Sequence, residues 1–128
     1  MGMRGIRGAT TVEEDSSQEI LTHTKGLMEE IIKQNCVDPE DVAAVFITVT
    51  HDLQADFPAK AVRSLPGWDL VPLMCSNEIP VSGSLDKCIR VMILTNTAMK
   101  QNEVKHVFLR GAMRLRPDLV RSNELTAN

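Results

Sequence analysis

The sequence predicts a single α+β domain spanning residues 1–128, with a mixed sheet of about five strands and one long and one short helix packed on it. Strand-like runs alternate with two helical patterns, and the longer helical pattern has one apolar face. A chain of 128 residues is long enough for one hydrophobic core but not for two. The hydrophobic content of 43% and the charged content of 24% are ordinary for a globular domain.

The first strand is predicted at residues 3–12 and carries a cation among small residues. Alternation along a strand places Arg7 on one face, with Gly5 and Ala9 as its nearest neighbours there. These small neighbours leave space around the guanidinium, which suits a ligand or an interface. The alternative is a solvated arginine on a glycine-rich edge strand.

The clearest helix is predicted at residues 17–35. Ser16 or Ser17 can cap it, and Glu19 lies near the capping-box position for Ser16. A turn with Asp38 as a cap and Pro39 fixing φ is expected next. The apolar stripe of the helix is expected to be core and consists of Ile20, Leu21, Thr24, Leu27, Met28, Ile31 and Ile32.

The middle of the chain predicts a second strand at residues 43–50, rich in β-branched side chains. A short helix from near Pro58 to before Pro66 follows, with Lys60 and Arg63 on one face, an arrangement typical of a solvated surface.

Two further strands are predicted with less regular patterns. One at residues 70–75 is interrupted by Pro72, which favours an edge strand or a bulged one. The last is expected from about residue 104 to residue 115, with a possible bulge at Gly111.

Residues 87–94 predict a central strand with an arginine inside it. Because both faces of this strand are otherwise apolar, we expect it to be covered on both sides. Arg90 cannot lose its proton to escape desolvation, so it needs an anion, either a carboxylate of the protein or a ligand. One face is formed by Ile89, Val91 and Ile93, and the other by Cys88, Arg90, Met92 and Leu94.

Composition excludes several classes of partner. With three Phe, one Trp, no Tyr and a net charge of −3, neither stacking nor a general positive field favours nucleic acid. Cys36, Cys75 and Cys88 form no C-x-x-C pair and are expected to be free thiols. No apolar run approaches the ~20 residues of a membrane span, and the N-terminus lacks the apolar region of a signal peptide. We expect no membrane partner and a cytoplasmic location.

Common catalytic signatures are also missing from the sequence. His23, His51 and His106 are isolated and have no metal-ligand spacing. There is no phosphate-binding loop, dinucleotide fingerprint or nucleophile elbow. What remains is a set of cations on separate elements, which suits a small polycarboxylate and a reaction that needs no nucleophile or metal. These cations are Arg7, Lys60, Arg63, Arg90 and Arg116.

Four segments together resemble the monofunctional chorismate mutases of the Bacillus type: MRGIRGATTV at 3–12, FPAKAVR at 57–63, KCIRVM at 87–92 and LRPDL at 115–119. The resemblance covers nearly the whole chain. It implies a homotrimer around a pseudo-barrel, with active sites in clefts between adjacent subunits. The implied reaction is the Claisen rearrangement of chorismate to prephenate, which requires no cofactor or metal.

The resemblance also implies roles for individual residues. Arg90 would donate to the ether oxygen, Arg7 would bind the side-chain carboxylate, and Glu78 with the backbone of Cys75 would hold the ring hydroxyl. Arg116 would come from a tail that is mobile after about residue 117 and orders on binding. The pocket walls would be Phe57, Ala59, Leu73, Met74 and Leu115, and the basic mouth would be Lys60, Arg63 and Arg116.

One position departs from the family pattern. Phe108 stands where the family commonly has a tyrosine whose hydroxyl helps to bind a substrate carboxylate. The phenylalanine keeps the ring and removes the donor, so we expect weaker substrate binding rather than altered chemistry.

Two rival functions remain open on the sequence. The first is a trimeric deaminase of reactive imines, which also uses an interface arginine to hold a carboxylate. The second is a non-catalytic sensor of a small carboxylate metabolite. Turnover of chorismate in the absence of metal and cofactor would separate the three.

Overall fold

The computed structural model describes residues 1–118, which form a five-stranded mixed sheet with its helices on one face. Three short 3₁₀ segments at Pro39–Asp41, Gln101–Glu103 and Arg110–Arg114 connect the main elements. The main elements are β1 (Gly2–Thr11), α1 (Ser17–Asn35), β2 (Val42–Val49), α2 (Ala59–Arg63), β3 (Leu73–Asn77), β4 (Cys88–Thr97) and β5 (Val107–Phe108).

The strand order is β3-β2-β4-β1-β5, which confirms the predicted α+β class and the central position of the Arg90 strand. Strand β4 pairs antiparallel with both β1 and β2, while β3 and β5 pair in parallel with β2 and β1. Strand β3 lies at an edge, as Pro72 predicts, and begins just after that proline. No helix among the described residues has the length and apolar composition to cross a bilayer.

Helix α1 has the predicted bounds because the interactions that begin and end it involve residues close together in the sequence. The Ser16 side chain accepts the amide of Glu19, and Cys36 ends the helix in the left-handed conformation at φ 52°. The Glu19 carboxylate accepts the amide of Glu13 instead of completing a capping box with Ser16. The predicted cap at Asp38 is also confirmed, since its side chain accepts the amide of Glu40.

The main core lies between the sheet and the helices. Gly8 lets α1 approach closely, because a Cβ at this position would lie 2.5 Å from Ile31 Cδ1. Helix α2 contributes to the same core and packs against α1, so it lies on the helix side of the sheet. Fully buried members of this core are Ile6, Ile20, Leu27, Met28, Ile31, Val45, Ile47, Val62, Ile89 and Ile93.

The opposite face of the sheet is more open, which corrects the expectation that β4 is covered on both sides. Met92 and Leu94 are only half-buried, Phe46 is 42% exposed and Met74 is 65% exposed. Within residues 1–118 the two α-helices pack on one side only, so this open face keeps an apolar surface. The open face is the location of the candidate site.

The predicted last strand is wrong except at Val107–Phe108, since the residues before and after this pair are not strand. Strand β5 ends at Phe108, Arg110 takes the left-handed region at φ 56°, and a 3₁₀ segment follows. The amide of Gly111 donates to Thr11 Oγ1 at 3.0 Å, and a Cβ on Gly111 would lie equally close to this oxygen. The chain therefore turns across the end of β1 instead of extending the sheet with a bulge. The predicted mobile tail lies mostly outside the described residues.

Candidate active site

A cavity of about 350 Å³ lies on the open face, between the ends of β1, β4 and β5 and the C-terminal segment. Six of the predicted site residues line it: Arg7, Glu78, Arg90, Phe108, Leu115 and Arg116. This volume is in the range of pockets that hold small molecules.

Arg90 and Glu78 form an ion pair at one side of the cavity. Arg90 Nε lies 3.1 Å from Glu78 Oε1, yet this N–H makes no hydrogen bond to any residue in 1–118. The Arg90 side chain is 43% exposed, because no described element covers the open face. Arg90 is therefore paired with a protein carboxylate and also lines the cavity.

Arg7 reaches the same cavity from β1, beside Ala9. The amide of Arg7 donates to Nδ1 of His106 at 2.9 Å. Burial, and then the charges of Arg7 and Arg116, lower the pKa of His106. In the sequence His106 stands isolated, since nothing in the local pattern reveals that its side chain meets the backbone of a residue 99 positions away.

Phe108 forms the apolar floor of the site. It packs in a small cluster with Ala9, Cys88 and Ala112, and Leu115 lies against the cluster. Burial raises the pKa of the Cys88 thiol, with Arg90 acting in the opposite direction. The protonated thiol is a poor nucleophile, which agrees with its expected role as a small core residue.

Arg116 lies at the edge of the cavity and is partly neutralised. Its Nη2 lies 3.0 Å from Asp118 Oδ2, and hydrogen bonding to this carboxylate raises the pKa of Arg116. Because both side chains are substantially exposed, this pair is weak and can open.

The predicted residues of the α2 region do not join this cavity. Phe57 is 66% exposed, Ala59 is buried in the main core and Arg63 is exposed. Lys60 Nζ pairs with Asp56 Oδ1 at 2.8 Å. Hydrogen bonds from Lys60, Ser17 and the amide of Phe57 lower the pKa of Asp56 to about 2.

The predicted residues of β3 are also separate from the cavity. Leu73 and Cys75 pack toward the main core, as expected from their register with Val45 and Ile47 of β2. Met74 pairs in register with Phe46 and lies exposed on the open face. The structure thus places six of the predicted site residues around the cavity, while those of the α2 region and of β3 do not line it.

Phe46, Thr48 and Met92 line the cavity although the sequence analysis did not select them. Their place follows from strand pairing, because Thr48 lies in register with Arg90, and Phe46 with Met92. Alternation shows which residues of one strand share a face, but it does not show which strands pair.

Comparison with known proteins decides the family. The model of the family described as chorismate mutase type I matches residues 3–119. The chain belongs to this chorismate mutase family. The chorismate mutase AroH of Bacillus subtilis (strain 168) is 53% identical over 119 residues, which cover 93% of this chain and 94% of that protein. The chorismate mutase AroH of Thermus thermophilus is 49% identical over 118 residues, covering 91% and 96%.

A solved structure supports the same assignment for the fold. The chorismate mutase from Clostridium thermocellum has a TM-score of 0.84 and 46% sequence identity, covering 87% of this chain and 98% of that one. As a member of the chorismate mutase family the chain is an isomerase, and the imine deaminase and the metabolite sensor are not favoured.

Proposed function

We propose that the cavity binds chorismate and that the chain converts it to prephenate in aromatic amino-acid biosynthesis, in the cytoplasm. The observation that carries this proposal is the convergence of Arg7, Arg90 and Glu78 on one small cavity, in a chain of the chorismate mutase family. Chorismate is a dianion, and two arginines with apolar walls provide a site of matching charge and size.

The reaction is an intramolecular rearrangement in which a C–O bond breaks and a C–C bond forms. No proton is transferred and no covalent intermediate with the protein is needed. The protein can therefore act in two ways. It can hold the enolpyruvyl side chain over the ring, and it can stabilise the negative charge that develops on the ether oxygen.

Arg90 is proposed as the donor to the ether oxygen. Its Nε–H is close to Glu78 but makes no hydrogen bond within residues 1–118, and the half-exposed guanidinium lines the cavity. Because a guanidinium stays charged, it stabilises developing negative charge without any change in protonation. An interaction that strengthens as the C–O bond breaks lowers the barrier rather than only binding the substrate.

The other cavity residues are proposed to fix the orientation of the substrate. Arg7 binds the side-chain carboxylate and Arg116 favours the dianion at the mouth. Glu78, together with the backbone of Cys75, holds the ring hydroxyl. Phe108 and Leu115 enclose the reacting carbons in an apolar wall.

We also propose that three copies of the chain assemble and complete one another's sites. Helix α2 lies on the helix side of the sheet, so Phe57, Lys60 and Arg63 cannot reach the cavity of their own subunit. An adjacent subunit can supply them together with Met74, while the exposed apolar side chains of the open face become buried in the contact. The second occupant of this face is thus another copy of the chain.

A direct assay tests the proposal: loss of chorismate absorbance with appearance of prephenate, in EDTA and without added cofactor. We expect turnover by the unmodified chain and a strong loss of turnover in Arg90→Ala. Tight chorismate binding without turnover would instead indicate a sensor, and turnover of an imino acid but not chorismate would indicate a deaminase.

A further inference from the structure

We propose that His106 is a positioning residue for the reaction, because its neutral imidazole fixes the backbone of Arg7 and thereby the place of the Arg7 guanidinium. The inference rests on the proposed role of Arg7 as the ligand of the substrate side-chain carboxylate. The distance that carries it is the 2.9 Å between the Arg7 amide nitrogen and His106 Nδ1.

The imidazole replaces a backbone carbonyl in the sheet. Strands β1 and β5 pair in parallel at Gly8 with Val107 and at Ala9 with Phe108, and the amide of Leu109 donates to the Ala9 carbonyl. In a regular parallel ladder, the next donor along β1 would be the Arg7 amide and its acceptor would be the carbonyl of residue 105.

That carbonyl is already used by the buried side chain of Asn35. Asn35 Nδ2 donates to the Lys105 carbonyl at 2.8 Å, and the Lys105 amide donates to Asn35 Oδ1 at 2.8 Å. The Asn35 amide thus binds both backbone groups of Lys105 and draws the entry of β5 toward the end of α1. His106 supplies the acceptor that Arg7 would otherwise lose.

On its own strand, Arg7 is flanked on the same face by Gly5 and Ala9, which offer little surface against which a long side chain can pack. Its neighbour across the sheet is Met92 of β4, a flexible side chain that fixes the guanidinium less firmly than a rigid one. A small shift of the Arg7 backbone therefore moves the guanidinium within the cavity. Such shifts lower a rate strongly when a charged group must meet a substrate at a fixed distance.

Only the neutral imidazole can accept this hydrogen bond, since both ring nitrogens of the protonated form are donors. Charged groups near His106 are Arg7 on β1 and Arg116, with its partner Asp118, on the C-terminal segment. Lys105 precedes it in the chain. The burial of the ring and the two arginine charges lower its pKa and favour the neutral form.

The test compares His106→Asn with His106→Gln, alone and combined with Arg7→Ala. The Asn side chain can place its oxygen near the position of Nδ1, whereas the longer Gln side chain resembles the Nε2 end of the ring. We expect His106→Gln to lower kcat/KM for chorismate by about 10- to 100-fold, with His106→Asn close to the unmodified chain. In the Arg7→Ala background, His106→Gln should cause no further loss.

The outcomes separate this inference from the proposed function. If Arg7→Ala itself leaves kcat/KM unchanged, the proposed role of Arg7 is wrong. If Arg7→Ala is impaired but His106→Gln is not, or if the two losses add fully, the positioning role is overturned. Thermal unfolding of all five variants, including Arg7→Ala alone, identifies a loss of activity that comes from unfolding. Equal losses of activity in His106→Asn and His106→Gln at unchanged stability would also overturn the positioning role.

Discussion

The Arg90 guanidinium meets the Glu78 carboxylate on one side and lines the cavity on the other. Its sequence context indicated a need for an anion, and the Glu78 carboxylate is one such partner. The expectation that both faces of β4 are covered was wrong, because the Arg90 side chain is 43% exposed. At the scale of single residues, the sequence thus predicts that Arg90 requires an anionic partner, but it does not predict how exposed the side chain is.

A substitution at Phe108 measures how much substrate-binding free energy the missing hydroxyl removes. We expect Phe108→Tyr to strengthen substrate binding by about 0.5–1.5 kcal/mol, since the hydroxyl adds one donor for a substrate carboxylate. The effect should appear as a lower KM with kcat nearly unchanged. Steady-state kinetics check this, and a change confined to kcat would contradict the account of position 108.

His106 also predicts how stability depends on pH. Because its folded-state pKa is lowered, the unfolded chain binds the proton more readily. The stabilisation from the neutral ring is therefore present above the ordinary pKa of about 6.5 and is lost as the pH falls below it toward the folded-state pKa. As the pH falls through this window, the thermal stability of the unmodified chain should therefore decrease more than that of His106→Asn. Equal pH dependence in both proteins would contradict the prediction.

At the scale of elements, the sequence predicts structure well where the signals are local. Helix α1 follows from its apolar stripe and the Ser16 cap, and β1 and β4 follow from alternation. The residues after Phe108 have a strand-like pattern, but their conformation depends on a left-handed Arg110 and on a hydrogen bond from Gly111 to Thr11, 100 positions earlier. A contact between residues so far apart in the sequence cannot be predicted from the local pattern of residues.

The packing of α1 on β1 makes Gly8 a sensitive position. A methyl group there would meet Ile31 Cδ1 at 2.5 Å and Leu27 Cδ1 at 3.1 Å, so we expect Gly8→Ala to destabilise the fold by about 1–3 kcal/mol. The matched control is Gly26→Ala on α1, where a Cβ meets no other atom within 4 Å. This control should stabilise the fold by about 0.5–1 kcal/mol. Denaturant unfolding measures both, and a Gly8→Ala variant as stable as the unmodified chain would contradict the close packing.

At the scale of the whole molecule, the family resemblance supplied what the local patterns could not. It named residues from the α2 region and from β3 that do not line the cavity in the structure. Periodicity within the chain carries no information about contacts with a second copy. The trimer and the shared site therefore stay predictions.

Subunit mixing tests the shared site. Arg90→Ala removes a residue of the cavity, and Arg63→Ala removes one from the proposed neighbouring side. If sites form between subunits, refolding the two impaired variants together should restore about a quarter of the normal sites, because some interfaces combine two unaltered sides. Chorismate turnover of the mixture, compared with each variant refolded alone, measures this. Activity no higher than the mean of the two variants would contradict a shared site, and sedimentation reports the number of subunits.

The proposed role of Arg90 is to stabilise the breaking C–O bond with its charge. Replacing Arg90 by citrulline keeps the shape of the side chain and removes the charge. We expect kcat for chorismate to fall by about 100- to 1000-fold or more with the thermal stability preserved. A near-normal kcat, or a loss of stability that accounts for the whole loss of activity, would contradict the electrostatic role and favour a structural ion pair with Glu78.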